Sequence, residues 1–367
     1  MPDVDVAILG AGCAGLSLAM RLAGGGLSVR LIDPRTGYEN DRTWSFWRTA
    51  PHPWEAFVRQ SWQRWSVAGP TATVERQSHR IRYQTLEARS VYDAALARID
   101  ADPLLQLDLG VSAQDVQQRG AESFVDTSDG GFSAASVIDT RPPKHIPTMS
   151  QVFIGQEIAT SKSVFDTDVV HLMHFRSGYS DGVDFLYILP FAPDRALVEV
   201  TSFARTAPSR KVMSDWLDTE IASLDAGGHD VLRAEAGCLP MEVGYRAKPT
   251  AGIVHMGLAG GAARPATGYA FQRIQAQADQ IAAQLISGQT PTPPRDGMIL
   301  QTMDAIFLRV LASRPHQGPA YFQALFDRVE AEKLERFLSG STRTDDRLAI
   351  ITALPPVPFL AAAAGLA

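Results

Sequence analysis

Apolar positions along this chain follow three periodicities in succession. An apolar run from Val6 to Leu9 leads into apolar positions at helical spacing (Leu16, Leu18, Ala19, Leu22), and a second run ends on Asp33. That order predicts strand, helix, strand. From Gln151 to Phe203 the pattern has period two and predicts an antiparallel sheet. Its clearest part is DFLYILPF and ALVEVTSF on either side of a turn at Ala192-Pro193-Asp194-Arg195, where Pro193 suits the second turn position. From about Met298 to Leu338 an apolar stripe (Phe307, Leu308, Leu311, then Phe322, Leu325, Phe326, Val329) predicts helices. Between these lie a helix and a strand over 86–109, a returning strand at Ser133–Asp139, a helix at Asp215–Leu224 and a buried strand at Gly252–Leu258. A glycine-rich loop then runs into a long helix.

Glycines give the first segment its chemistry. Gly10, Gly12 and Gly15 stand between strand and helix, with Cys13 and Ala14 inside the turn, and Asp33 follows 23 residues after Gly10. This is the arrangement of a dinucleotide-binding unit. Gly10 allows the tight turn, Gly12 lets the backbone approach a pyrophosphate, and Gly15 lets helix and strand pack. The helix N-terminus attracts the phosphates, and Asp33 is placed to accept from a ribose hydroxyl. A bound FAD or NAD is therefore expected. Gly260, Gly261 and Gly268 in the late loop predict a second helix N-terminus against the same cofactor, because small residues in sequence leave backbone exposed. The expected fold is mixed α/β: a Rossmann-type FAD-binding domain (1–83, 133–150 and 250–290), with a helix and strands between (84–132), an inserted antiparallel-sheet substrate domain (151–249) and a helical C-terminal region (291–367).

With 45 % hydrophobic and 20 % charged residues over 367 positions, the chain is expected to be globular with a large core. A net charge of −6 gives no electrostatic reason to expect nucleic acid. Cys13 and Cys238 have no metal-ligand spacing, so no metal is expected, and both read as small buried residues. The first strand is expected to begin almost at Met1, so no signal peptide is expected, and no apolar run reaches the roughly 18 residues of a spanning helix. From Leu348 to Ala367 the chain carries no charge, and Pro355, Pro356 and Pro358 forbid a continuous helix. That tail is either a buried arm or a segment resting in a bilayer surface. Five of the six tryptophans (Trp44, Trp47, Trp54, Trp62, Trp65) fall within 40–83, as core or as a wall around something apolar.

Several motifs are unusual enough to carry a resemblance. DRTWSFW (Asp41–Trp47), FIGQEI (Phe153–Ile158), FLYILPF with ALVEVTSF, GGAARPATGYAFQRIQ, RFLS (Arg336–Ser339) and DRLAIITALPPVPFL resemble, in order and over nearly the whole chain, the bacterial lycopene beta-cyclases. The resemblance implies a flavoenzyme that converts lycopene via gamma-carotene to beta-carotene without net redox change. It further implies reduced FAD, NAD(P)H as reductant, and a peripheral or monotopic place on the cytoplasmic face of a membrane. The family's catalytic glutamate, in its LxE(D/E)T-type strand, falls on Glu199, although Val200 stands where many relatives carry a second acid.

Ring closure of a polyene needs a proton delivered to an alkene, a carbocation kept from water, and loss of a different proton. A carboxyl held neutral by desolvation suits the first step. Alternation puts Glu199 on one face with Leu197, Thr201 and Phe203; the other reading is the solvent side of an edge strand. Aromatic faces tolerate a nearby cation, so Trp44, Trp47, Phe185, Tyr187 and Phe203 are expected around the substrate. Arg42, Arg264 and Thr267 are expected at the flavin, with capping or surface charge as the alternative for the last two. Glu157 and Asp41 are expected to orient loops or flavin. His174 stands where the family leads one to expect an aspartate, and a strand histidine is more often a satisfied structural residue. A redox flavoenzyme of the same fold (a monooxygenase or prenyl-chain reductase) and a pigment-binding flavoprotein share the first 33 residues.

Overall fold

The computed structural model describes residues 1–366, and Ala367, the last residue of the uncharged tail, lies outside the described residues. Its helices are α1 (Cys13–Leu22), α2 (Ala88–Asp100), α3 (Arg210–Ala222), α4 (Phe271–Ile286), α5 (Met298–Ser313), α6 (Gly318–Arg328), α7 (Ala331–Ser339), α8 (Thr344–Ala353) and α9 (Pro356–Ala363). The strand Val4–Leu9 lies at the centre of a sheet, parallel to Val29–Asp33 on one side and to Gly130–Asp139 on the other. Leu105–Leu109 extends the sheet beyond Val29–Asp33, and Ile253–His255 pairs in parallel with the end of Gly130–Asp139. α1 and α4 pack on this sheet through Leu16, Leu18, Ala278 and Ile281. This Rossmann-type unit closes where Gly15 requires it: a Cβ there would lie 2.0 Å from the Gly10 carbonyl oxygen.

The second sheet runs His229–Pro240, Ser150–Thr160, Arg195–Ala204, Val183–Ala192, Val169–Arg176, Arg64–Ala68, Thr73–Gln77. Its interior strand Arg195–Ala204 is buried on both faces. Val198 and Val200 pack under α3 against Trp216 and Leu217, while Leu197 and Phe203 face the other way. Two expected boundaries change. Residues 64–77 belong to this second sheet, because Trp65 and Val67 are buried where Arg64–Ala68 runs parallel to Val169–Arg176. Residues 88–132 belong to the first sheet and its helices, because the strands at 105–109, 113–119 and 122–127 join it, while 84–87 end a strand of a separate three-stranded sheet with Thr43–Arg48 and Val58–Trp62. The pairings of Arg64–Ala68 with Val169–Arg176 and of Leu105–Leu109 with Val29–Asp33 are long-range, and local periodicity carries no trace of them.

The tryptophans divide unevenly. Trp47, Trp54, Trp62 and Trp65 are core, and Trp47 packs edge-on against both Trp65 and Tyr83. Gly252–Leu258 contains a strand of only Ile253–His255. Cys238 is exposed, unlike the buried residue expected, because its strand presents alternate positions to either side. The C-terminal helices cover the end of the second sheet. No single described helix is long and apolar enough to cross a membrane, while α8 and α9 meet at a bend of 114° where the prolines interrupt them.

Glu335 on α7 sits in this helical layer with 0 % exposure, and burial pushes its carboxyl from an ordinary 4.5 up to about 8. The folded state therefore binds more protons than the unfolded chain between those values, and stability falls as pH rises through the interval. Against Glu335→Gln, which does not titrate there, the melting temperature of the natural chain is expected to drop between pH 5 and pH 8. Parallel melting-temperature curves would contradict it.

Candidate active site

A cavity of about 680 Å³ runs from the glycine turn to α6. At one end lie Gly10, Gly12, Cys13, Ala14 and Asp33, joined by Arg35, Arg42, Thr140 and Arg141. α1 begins at Gly12 without a side-chain cap, so its first N–H groups are open to a ligand. A Cβ at Gly12 would meet nothing closer than Arg35 Nη2 at 3.9 Å, so the space above this backbone is clear. Asp33 Oδ2 accepts from the Ala11 N–H at 2.6 Å, and Oδ1 accepts from the Arg35 N–H and Nε. The carboxylate thus holds the turn in shape while it lines the cavity. An uncapped helix start, clear backbone and a cavity-lining acid fit the pyrophosphate and ribose of a dinucleotide. Desolvation raises the Cys13 thiol to about 12, which makes it an inert packing residue here.

The late loop contributes differently from expectation. Thr267 and Gly268 line the cavity, together with Gly257 and the start of α4 at Phe271. Gly268 has a φ of +71°, and a Cβ there would fall 2.2 Å from Gln151 Oε1. Gly260 and Gly261 do not line it. They turn the chain behind the wall, where a Cβ would strike the His255 carbonyl at 2.5 Å and Arg246 at 2.8 Å. Arg264 is not at the cavity either. Its guanidinium is 0 % exposed, bonds both oxygens of Asp304 on α5, and lies 4.3 Å over the Phe337 ring. A buried aspartate on a distant helix captured this arginine, and nothing local to the loop signals that partner.

Glu199 lines the cavity at 7 % exposure, on the face that alternation gives it with Leu197 and Phe203. The solvent-side reading is thereby removed, because Arg195–Ala204 is an interior strand. Burial, with the nearby charge of Glu235 as second cause, raises the Glu199 carboxyl well above the usual carboxylate range. Thr201 donates its hydroxyl to Glu199 Oε1 at 2.8 Å, so the acidic proton belongs on Oε2. Phe185 and Tyr187 line the cavity, and Trp44 forms its wall while stacked on Phe271. Trp47 does not reach the cavity, since it is held in the core by Trp65 and Tyr83.

Several lining residues went unnoticed in the sequence. Tyr83 and Tyr187 join hydroxyls at 2.9 Å, and Tyr269 lies in the same wall. Burial lifts all three phenols, Tyr269 to about 12, so each stays neutral. Glu235 shares the cavity face with Gly237 and Leu239. An acid alternating with apolar positions in LRAEAGCLP is the signal that could have found it.

The secondary carboxylates are structural. Burial opposes the charge on Glu157, yet hydrogen bonds from Arg59, Arg233 and Arg195 hold it at about 2. Asp41 accepts from the Tyr92 hydroxyl at 3.1 Å. His174 is not among the cavity residues: His171 and His174 share the Ser66 hydroxyl at 2.7 and 2.9 Å, and burial lowers His174 to about 4. Among the described residues no group of three or more His, Cys, Asp or Glu side chains could hold a metal ion.

The solved structures similar to this chain share its fold at low sequence identity. A geranylgeranyl bacteriochlorophyll reductase-like protein from Thermoplasma acidophilum superposes with a TM-score of 0.65 at 13% identity, over 97% of each chain. p-Nitrophenol 4-monooxygenase from Pseudomonas putida does so at 0.59 and 12%, over 97% of this chain and 98% of its own. The fold is therefore that of the FAD-binding flavoproteins. In sequence, the lycopene beta-cyclase of a Paracoccus species is 30% identical over 97% of this chain and 95% of its own length. That of Pantoea ananas is 26% identical over 98% and 97%. The family model described as lycopene cyclase protein matches residues 5–364, from the first strand through Glu199 to the tail. The chain is an enzyme and belongs to the lycopene cyclase family.

Proposed function

We propose that this enzyme closes both ends of lycopene into beta-rings, through gamma-carotene to beta-carotene, by proton-initiated cyclisation with no net redox change. One observation carries the reading: Glu199 is a buried acid with no basic hydrogen-bond partner among the described residues, set in an aromatic cavity that opens onto the glycine cradle. Its neutral carboxyl donates the Oε2 proton to the terminal alkene and leaves a tertiary cation, which the next double bond attacks. Leu172, Met173 and Phe322 keep water away, since hydration would trap the cation. Aromatic faces such as those of Phe185 and Phe203 contribute roughly 0.5–2 kcal/mol each toward holding positive charge. Gly10, Gly12, Asp33 and Thr267 would hold FAD. A flavin bound there and reduced by NAD(P)H supplies negative charge to balance the cation.

The test is expression in lycopene-accumulating bacteria, with the pigments then separated. Beta-carotene supports the reading; unchanged lycopene beside folded, flavin-loaded protein overturns it. Substrate-dependent oxidation of one NAD(P)H per product would assign a redox flavoenzyme instead. A cytoplasmic membrane-surface location is part of the same proposal. Leu348, Ile351, Val357 and Leu360 of α8 and α9 are exposed on the uncharged tail, and the substrate is almost insoluble in water. Cell fractionation should place much of the chain with membranes, and activity in carrier-free, bilayer-free buffer would contradict that.

A further inference from the structure

Glu199 is one of two carboxyl side chains in a single row of the second sheet. Backbone pairing aligns Tyr187, Glu199, Gly155 and Glu235 across four neighbouring strands. Residues directly opposite in antiparallel strands share a face, and Tyr187, Glu199 and Glu235 all line the cavity. Gly155 separates the two acids without a side chain. A Cβ at that position would lie 3.2 Å from Glu199 Cβ and 3.3 Å from Leu197 Cδ1, so any larger residue would close the gap.

The two acids have opposite surroundings. Among the described residues Glu199 receives only the Thr201 hydroxyl. Glu235 Oε2 accepts from Arg233 Nη1 at 2.5 Å and from the Thr43 hydroxyl at 2.7 Å. Arg233 is anchored in turn, with Nε 2.8 Å from Glu157 Oε2, and Arg59 and Arg195 hold Glu157 from the other side. Glu235 is therefore held by a cation and a hydroxyl, beside an acid whose neutral form burial favours. Two carboxyls driven into different protonation states by their environments form an acid–base pair.

We propose that Glu235 is the second catalytic carboxyl of the cavity: it takes the proton released as the ring cation becomes an olefin, and returns it to Glu199 across the gap at Gly155. The inference rests on the cyclisation reading above. The Glu199 O–H bond breaks as a C–H bond forms at the terminal alkene, and ring closure moves the positive charge into the ring. A C–H bond beside that charge then breaks: its electron pair becomes the ring double bond, and its proton forms an O–H bond on Glu235. A proton next to a carbocation is so acidic that a carboxylate held by Arg233 is base enough. Return of the proton from Glu235 to Glu199 is favoured because Arg233 bonds Glu235 directly and acts on Glu199 only through space. Proton and electron counts close with no co-reactant, as an isomerisation requires. Arg233 is the cation nearest the pair, and the phenols of Tyr187, Tyr83 and Tyr269 face them from neighbouring elements as neutral groups.

The experiment uses the full chain with FAD and a reductant, and lycopene in phosphatidylcholine vesicles. It compares the natural chain with Glu235→Gln, Glu235→Asp and Glu235→Ala. Glu235→Gln is expected to keep its flavin and to lose roughly 100-fold or more of the ring-forming rate, or to release rings with the double bond displaced. Glu235→Asp should recover part of the rate. In Glu235→Ala, added formate should restore ring formation, because a small free carboxylate fits the vacated space. Removal of the anion should also move the alkaline limb of the rate profile to lower pH. A Glu235→Gln rate within about threefold of the natural chain, with the same product, overturns the proposal. So does a Glu235→Ala loss that formate leaves unrestored while flavin content falls with it, since that marks a structural role. Rings from the natural chain in these assays keep the two questions apart. Their absence removes the cyclisation reading, and this inference with it.

Discussion

Glu199→Gln should abolish ring formation while leaving a folded, flavin-loaded protein. Glutamine has the same shape, can still accept from Thr201, and carries no acidic proton. Loss of a general acid typically costs 10²–10⁴-fold, and a carbon centre offers no easier proton source in a dry cavity, so a fall of roughly 10³-fold or more is expected, about 4 kcal/mol of barrier. The same burial that raises the Glu199 carboxyl predicts little change in stability at neutral pH, because the native side chain is already uncharged. It also sets the sign of the pH dependence. In the proposed mechanism Glu199 acts in its protonated form, so activity is expected to persist well above the usual carboxylate range and to be lost as pH rises through the elevated value. Pigment analysis and flavin absorbance of the purified variant decide the matter. Continued cyclisation by Glu199→Gln would remove Glu199 from the role.

The largest effect on stability is expected at Arg264 and Asp304. This pair ties the late glycine loop to α5, and both groups are buried. Breaking a buried ion pair by removing one partner costs roughly 3–5 kcal/mol. The two single variants should differ. In Arg264→Met the remaining aspartate can take up a proton, and burial already raises its carboxyl, so the damage is smaller and grows with pH. In Asp304→Leu the guanidinium cannot release its proton, so this variant is expected to be the less stable. Joining Arg264→Met to Asp304→Leu should recover much of the loss, since two apolar side chains can replace such a pair. Urea unfolding of the three variants tests the ordering. Arg264→Met should keep its flavin, because the side chain lies outside the cavity. Flavin loss from a stably folded Arg264→Met would return Arg264 to the cofactor site.

These predictions divide by how much of each was legible in the chain. The glycine turn was readable because its chemistry is local: Gly10, Gly12, Gly15 and Asp33 lie within one strand–helix–strand unit whose spacing determines their roles. Glu199 was readable for a similar reason, since period-two alternation states which residues share its face, and the motif resemblance selected that face as the active one. The Pro193–Asp194 turn, the helices of the C-terminal region and the bend between α8 and α9 also follow from local propensity and proline chemistry.

Misreadings arose where a remote partner decided the outcome. Arg264 looked like a flavin contact from its place in a glycine-rich loop, but a buried aspartate 40 residues later holds it in the core. Gly260 and Gly261 serve the path of the chain behind the wall, and Trp47 belongs to a tryptophan core that only strand pairing assembles. Residues 64–77 joined the second sheet through a parallel pairing about 105 positions away in the chain. By itself the sequence determined a nucleotide-binding unit, an antiparallel sheet with one acid on its apolar face, and an uncharged tail broken by prolines, because each is written in spacing along one segment. Only the tertiary structure decided that Glu199 accepts no hydrogen bond from a cation among the described residues, that Glu235 stands across Gly155 with Arg233 on it, and which aromatic rings surround them. Those facts depend on which strands become neighbours, and register between distant segments is set by the packing of the whole core.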